Sequence, residues 1–420
     1  MTGTPCRDLR DPNQRSACPL KAGERIDADA SQRIRRNMLL HGCKWDPQVE
    51  DVSTLADFPL LIEKQEWSRL SQAAEQLAAE LSEMEHRLIH RPDLYGRLGL
   101  PRRIRRVLSR LTDTEASPSA VRTLRFDFHW TCEGWRISEV NSDVPGGYSE
   151  ASEFPRLMCQ YIDGCHVPGD PAGVWAEAVC DAAKDRPVAL LSAPGFMEDQ
   201  QVVAYLARRL VERGAMAYLV SPSQITWEDG AAMLIMQQGK RPLGVVVRFY
   251  QAEWFAGSPQ NSWEMLFSGG KTPVTNPAVA ALTESKRLPL IWDELGAGAS
   301  TWRRLLPETC DPRGIPWRSD PGWLVKTAYC NTGDSVTVRG LCTRRQWWAA
   351  QWGALLFPGQ WIAQRRFVPL SVSSPMGELY PCVGVFTING RAAGAYTRLS
   401  RRPIVDYRAI DVPLLIREDQ

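Results

Sequence analysis

The chain has 420 residues, 44% of them hydrophobic, enough for substantial cores and for two or three domains at the usual ~100–200 residues each. Fifty Lys and Arg stand against 48 Asp and Glu, a net charge of +2, so the basic excess of a nucleic-acid binder is missing. No apolar run approaches the ~20 residues that span a bilayer, and the polar opening stretch lacks the apolar core of a signal peptide.

In chain order, residues 1–36 read as a polar, partly disordered lead-in. Residues 64–92 place Leu70, Ala74, Leu77, Leu81, Met84 and Leu88 at three- and four-residue steps, which predicts an amphipathic helix stopped by Pro92. His86 and His90 lie four apart on it, a spacing that can hold zinc; with no third ligand nearby, ordinary surface histidines are expected. Arg102, Arg103, Arg105, Arg106 and Arg110 crowd the next stretch and read as a solvated helix face rather than an anion-binding patch.

The texture then changes to strands. Residues 121–128 and 135–140 alternate polar and apolar around a TCEG turn, the pattern of a half-buried hairpin. From about 187 the pattern is α/β: a buried strand in PVALLSAP, a helix in DQQVVAYLARRLVERGA, then strands in AMAYLV and GVVVRFY. That order argues for parallel βαβ units. The last third returns to strands in GWLVKTAYC, QWIAQRRFV and CVGVFTINGRAAGAYTRL, the last with Asn389-Gly390 as a hairpin signal. Trp347, Trp348, Trp352 and Trp361 cluster here, either lining an acceptor cleft or, as expected of most tryptophans, packing in a core. Eleven cysteines scattered from Cys6 to Cys382 without a Cys-x-x-Cys pair read as reduced thiols of a cytoplasmic protein.

Residues 125–147, RFDFHWTCEGWRISEVNSDVPGG, carry the chemistry. Asp127 lies on one hairpin strand, and Glu139 and Asn141 lie two apart on the other, so they share a face. Two carboxylates and an amide carbonyl form a hard oxygen set of the kind magnesium takes. Arg125, two before Asp127, shares that face and is placed to clamp a phosphoryl group or a growing oxyanion. From spacing alone, a hairpin with ordinary surface charges is an equal reading. Cys132 and His129 suggest a Cys/His nucleophile, but a strand-borne histidine beside a buried thiol is expected to be structural.

The R-x-D…E-x-N-x-D hairpin with its Pro-Gly turn resembles that of glutathionylspermidine synthases and their relatives, ATP-grasp ligases with a permuted chain order. GCKWDP, FPLLIEKQEW and RPDLYGRLGLP resemble the helical lead-in of that family. NPAVAALTESKRLPLIWDEL, WLVKTAYCNTGDSV and GVFTINGRAAGAYTRLS resemble its later segments, so residues 40–415 are covered. The resemblance implies an α+β and α/β fold, a circularly permuted ATP-grasp. Its expected parts are a helical region and metal-binding hairpin over 37–185, a pre-ATP-grasp-like βαβ domain over 186–285, and the nucleotide-binding lid and closing strands over 286–420. It also implies that Asp127, Glu139 and Asn141 bind magnesium, two ions in all, bridging the phosphates of ATP as co-substrate. Arg125 then steadies the acyl phosphate and tetrahedral intermediate, Lys286 and Lys326 contact phosphates and the adenine edge, Gln364 the base, and Arg398 a phosphate. The turn Asn331-Thr332-Gly333-Asp334 after Lys326 can cradle phosphate through its N–H groups. It carries one glycine, Gly333, where the family has several, and Thr327 stands where proline is common.

The expected activity is therefore an ATP-dependent ligation of a small peptide or amino-acid carboxylate to an amine, with a polyamine among the candidates. The expected partners are small molecules, neither nucleic acid nor membrane. No amidase segment precedes the ligase part, so hydrolysis of the product is not expected. The competing readings are a non-catalytic nucleotide binder with a degenerate phosphate loop, and a kinase that stops at phosphorylation.

Overall fold

The structure, a computed structural model, describes residues 18–46, 48–49, 52–111, 121–193, 195–255, 257, 263–329, 336–406 and 408–418. It is a mixed α+β assembly in which separate sheets share the molecule with one long helix, Lys64–Ile89.

That helix follows from its sequence stripe. Leu70, Ala74, Leu77, Leu81, Met84 and Leu88 are all buried, each leucine and methionine side chain contributing about 1.5–3 kcal/mol by leaving water. Trp302 closes over the stripe, its Nε1–H donating to the Leu77 carbonyl at 3.1 Å. The chain leaves through a 3₁₀ turn, Pro92–Leu98. His86 and His90 are exposed neighbours on the outer face, as expected, and no group of three metal-ligating His, Cys, Asp or Glu occurs among the described residues. Arg102, Arg103, Arg106 and Arg110 are likewise exposed, beside the buried Ile104, Val107 and Leu108.

The lead-in is more ordered than its polarity suggested. Leu20–Ala22 pairs antiparallel with Leu60–Glu63, and a helix runs from Ala28 to Leu40 with Asp27 capping the Ala30 N–H at 2.7 Å. Ala30, Ile34 and Met38, four apart, are its buried stripe. Near the other end of the chain, Leu414–Arg417 adds parallel to Leu60–Glu63.

The central sheet runs Ile410–Val412, Arg391–Ser400, Gly377–Ile388, Thr123–Thr131 and Gly134–Asn141, every neighbour antiparallel. Both expected hairpins are in it. Asn389 and Gly390 take φ of 49° and 80°, the left-handed pair that a two-residue hairpin turn requires. The predicted βαβ unit is also present. Val188–Ser192 pairs parallel with Ala217–Val220 after the helix Met197–Val211, and parallel with Val245–Phe249 on its other side. Val188 through Leu191 are buried without a break, as a strand covered on both faces demands.

A further antiparallel sheet, Thr309–Cys310, Trp361–Arg365, Trp323–Thr327 and Thr337–Val338, is backed by the helix Arg344–Leu356. Its small core joins Trp317, Trp323, Val325, Ala350, Ala354 and Ala363, with Trp347 and Trp361 half-buried against it. Trp348 and Trp352 point away from that core, so the tryptophan cluster divides between packing and surface.

Candidate active site

Register decides which side chains meet. Arg125 lies opposite Asn141 and Asp127 opposite Glu139 in the first hairpin, so all four project from one face. A bulge after Asp127 shifts the register from Phe128 onward and ends this row. On the other side of Asp127 the neighbour is Gly384, and a Cβ there would lie 2.9 Å from both Arg125 Cδ and Asp127 Oδ1. The glycine is the space in which the arginine and aspartate touch.

The pair is closely made. Arg125 Nε donates to Asp127 Oδ1 at 2.9 Å, Nη2 to Oδ2 at 3.2 Å, and Nη1 to the Gly146 carbonyl at 2.7 Å, tying the Pro-Gly turn to the site. Arg398, from the closing hairpin, donates to Asp127 Oδ2 at 2.8 Å. Burial would raise the Asp127 carboxyl, but the two guanidinium groups outweigh it and hold it down at about 2. The Tyr396 ring lies against both arginines, 5.2 Å from the Arg125 guanidinium and 5.1 Å from that of Arg398. Gly147, at φ 91°, leaves room for that ring, which a side chain there would strike. The tyrosine hydroxyl donates to Asp411 Oδ1 at 2.7 Å, and Lys44 lies 3.1 Å from Asp411 and 2.8 Å from Glu150.

Glu139 carries the site toward the other lobe. Lys286 Nζ is 3.3 Å from its carboxylate, and Lys326 Nζ donates to the Ser138 carbonyl at 2.9 Å. Burial again works to raise the Glu139 pKa, and the charges of Lys286 and then Lys326 override it, so the group stays ionised. Leu324 and Gln364 are cross-strand partners, as are Lys326 and Ile362, so Lys326 and Gln364 look out from one face of the lid sheet. Gln364 Nε2 donates to Thr309 Oγ1 at 3.0 Å. The structure thus brings Arg125, Asp127, Glu139, Asn141, Lys286, Lys326 and Arg398 to one region, with Gln364 on the Lys326 face. Gly333 and the turn around it lie outside the described residues.

The donor set fits a divalent cation. Glu139 is anionic and shares its face with the Asn141 carbonyl-bearing side chain, a hard oxygen pair. The buried Asn141 amide nitrogen has no partner among the described residues and is a donor that an acceptor such as a phosphate oxygen would satisfy. Asp127 has about four lone-pair positions, of which the three arginine hydrogen bonds leave one.

Several positioning residues were not anticipated. Glu284 accepts the Ser142 and Asp143 N–H groups at 2.6 and 2.9 Å, fixing the backbone just past Asn141; burial raises its carboxyl to about 7 against the pull of Lys286. Asn276 bridges the Thr123 N–H and the Asp143 carbonyl at 2.7 Å each. A buried Arg248–Asp143 ion pair ties the parallel sheet to the same segment. Gly384 and Tyr396 had a legible signal, an interior strand glycine and a position two before Arg398; Glu284 had none beyond adjacency to Lys286. The Cys132/His129 pair needs correction: Cys132 is an exposed turn residue, not a buried thiol. His129 is buried, hydrogen-bonded to Ser138 Oγ at 3.1 Å and lowered by burial to about 4.

An antiparallel sheet bearing a cation-flanked carboxylate row, facing a lysine-bearing lid sheet, with a separate parallel α/β unit alongside, is the ATP-grasp arrangement in permuted order. Over residues 25–417 the sequence matches the glutathionylspermidine synthase pre-ATP-grasp family, and the chain belongs to it. No protein with a curated description matches it in sequence. Among solved structures, a glutathione synthetase-like effector from Globodera pallida superposes with a TM-score of 0.62 at 14% identity, over 92% of this chain and 96% of that one. A gamma-glutamylcysteine synthetase from Methylobacillus flagellatus matches at 0.43 and 12%, covering 80% and 88% of the two chains. A D-alanyl-alanine synthetase from Vibrio cholerae matches at 0.33 and 16%, covering 52% and 68%. At these identities the first likeness concerns the fold.

Proposed function

We propose that this chain is an ATP-dependent carbon–nitrogen ligase that joins a small peptide or amino-acid carboxylate to an amine, a polyamine among the candidates, through an acyl phosphate. The observation that carries the reading is the meeting of Arg125, Asp127, Glu139 and Asn141 with Lys286 at 3.3 Å from Glu139 and Lys326 beside it. A carboxylate does not condense with an amine at neutral pH because its oxygen is a poor leaving group. Moving the γ-phosphoryl group of ATP onto it makes phosphate the leaving group, and the cost lies in bringing two anions together.

This chain's residues meet that cost. Lys326 and Lys286 neutralise phosphate oxygens, Gln364 faces the base, and Arg398 steadies the phosphoryl group. Arg125, held by Asp127 and the Gly146 carbonyl, offers its guanidinium to the developing oxyanion. Glu139, Asn141 and Asp127 would hold magnesium, expected as two ions, which supplies charge neutralisation along the triphosphate. A phosphate contact by Gly333, outside the described residues, is part of this reading through the family resemblance. Cytoplasmic residence fits the free cysteines among the described residues, and no helix there is long and apolar enough to cross a membrane.

The test is phosphate release from ATP with pooled carboxylates and amines, with the products read by mass spectrometry. ADP and a new amide appearing only when both substrates are present supports the ligase. Amine-independent ADP production would indicate a kinase, and nucleotide binding without turnover on any pool would indicate the non-catalytic reading.

A further inference from the structure

The helix Arg344–Leu356 is apolar on two opposite sides. Its inner side packs Ala350 and Ala354 into the lid core, with Trp347 edge-on to Trp317 at 5.6 Å. The outer side presents Trp348, Trp352, Leu355 and Leu356 at steps of four, three and one, a single stripe continued by Phe357. These five are 61%, 52%, 58%, 62% and 59% exposed, and the two indole rings lie 6.5 Å apart. One exposed tryptophan is ordinary, whereas a contiguous patch marks a surface that meets something.

The charge around the stripe says what. Arg344 and Arg345 occupy the first helical turn, where the helix dipole disfavours cations, so helix stability does not account for them. Arg318 and Arg339 lie alongside: Arg318 donates to the Gln351 carbonyl, and Arg339 to the carbonyls of Arg318 and Ser319. None of these four exposed arginines has a carboxylate partner among the described residues, whereas Arg365 on the adjacent strand is bridged to both Glu308 and Asp320. From Ser335 to Gly377 the chain contains no Asp, Glu or Lys, only arginines as charged groups.

We propose that this helix face is a docking surface for an anionic lipid–water interface, on which the helix lies in the headgroup plane. Tryptophan belongs at that depth, leucine and phenylalanine reach the acyl boundary, and arginine pairs with lipid phosphates. A nucleic-acid strand would stack on the indoles but leave Leu355, Leu356 and Phe357 uncovered. A convex single-helix face also lacks the groove that a partner helix seeks. The contact is peripheral and adds a membrane surface to the partners expected from composition.

The full chain is mixed with phosphatidylcholine vesicles, with and without phosphatidylglycerol, and binding is read by co-sedimentation and tryptophan emission. Expected is binding to the phosphatidylglycerol vesicles with a blue shift, weakened ~10-fold or more by Arg344→Glu with Arg345→Glu and by added salt. Trp348→Ser with Trp352→Ser abolishes it, while circular dichroism and ATP turnover stay unchanged because both side chains are exposed. The proposal is overturned by no binding to the anionic vesicles, or by binding that survives both double substitutions. It is equally overturned if vesicle binding is absent and the tryptophan substitutions instead dissociate a dimer or abolish single-stranded oligonucleotide binding.

Discussion

The two sheets that flank the candidate site are held in different ways. On the central sheet Arg125, Asp127 and Arg398 are fixed by one another. Asp127 takes three hydrogen bonds from two arginines, Arg125 also holds the Gly146 carbonyl, and the Tyr396 ring packs against both guanidiniums while anchored to Asp411. On the lid sheet, Lys326 reaches across to the Ser138 carbonyl of the central sheet, and Gln364 donates to the Thr309 hydroxyl beside it. The first surface is pre-organised by contacts within its own sheet, so its chemistry does not wait for substrate; the lid residues face it from a separate sheet, with Lys326 and Gln364 on one face. Perturbing the first should therefore reduce turnover, and perturbing the second should weaken nucleotide binding.

The largest effect is expected at Arg125. Arg125→Ala should lower kcat by ~100–1000-fold, the typical loss of one oxyanion-stabilising donor, with ATP affinity little changed. Equal losses in binding and turnover would erase the contrast between the sheets. Gly384→Ala adds one methyl group 2.9 Å from both members of the Arg125–Asp127 pair. Displacement on the order of an ångström should cost roughly 100-fold in kcat, with a folded protein by circular dichroism. Full activity would mean that the pair need not be closely set.

How much of this was legible follows from range. Residues two apart on one strand share a face, so the Arg125–Asp127 and Glu139–Asn141 rows could be read directly. The Lys286 and Lys326 assignments came with family resemblance rather than with spacing. Arg398 reaching Asp127, and Lys44 reaching Asp411, depend on strand order between distant segments, which no local periodicity carries. The helix at Ala28–Leu40 was missed because its buried stripe is three residues wide in a strongly polar stretch. Cys132 lies in the TCEG turn, and because a turn tip faces water its exposure follows from the turn and not from the buried strands beside it.

On the lid, Lys326→Met should raise the ATP Kd by ~10–100-fold, the worth of one hydrogen bond to a charged group, with kcat at saturating ATP falling less. Isothermal titration and steady-state kinetics separate the two, and a pure kcat defect would move Lys326 into the pre-organised set.

The last prediction concerns stability rather than turnover and tests how the segment past Asn141 is held. Glu284 has its carboxyl raised to about 7 by burial, so the folded state binds its proton more tightly than the unfolded chain does. Its contribution is fully present below the ordinary glutamate value near 4.5 and is lost as pH rises through about 7, on the order of 3 kcal/mol across that window. Glu284→Gln cannot titrate yet keeps an oxygen for the Ser142 and Asp143 N–H groups. Denaturant melts across this range should show the variant lacking that share of the wild-type loss of stability with rising pH. An unchanged slope would place the titration elsewhere and leave Glu284 an ionised clamp, aligned with Lys286 rather than resisting it.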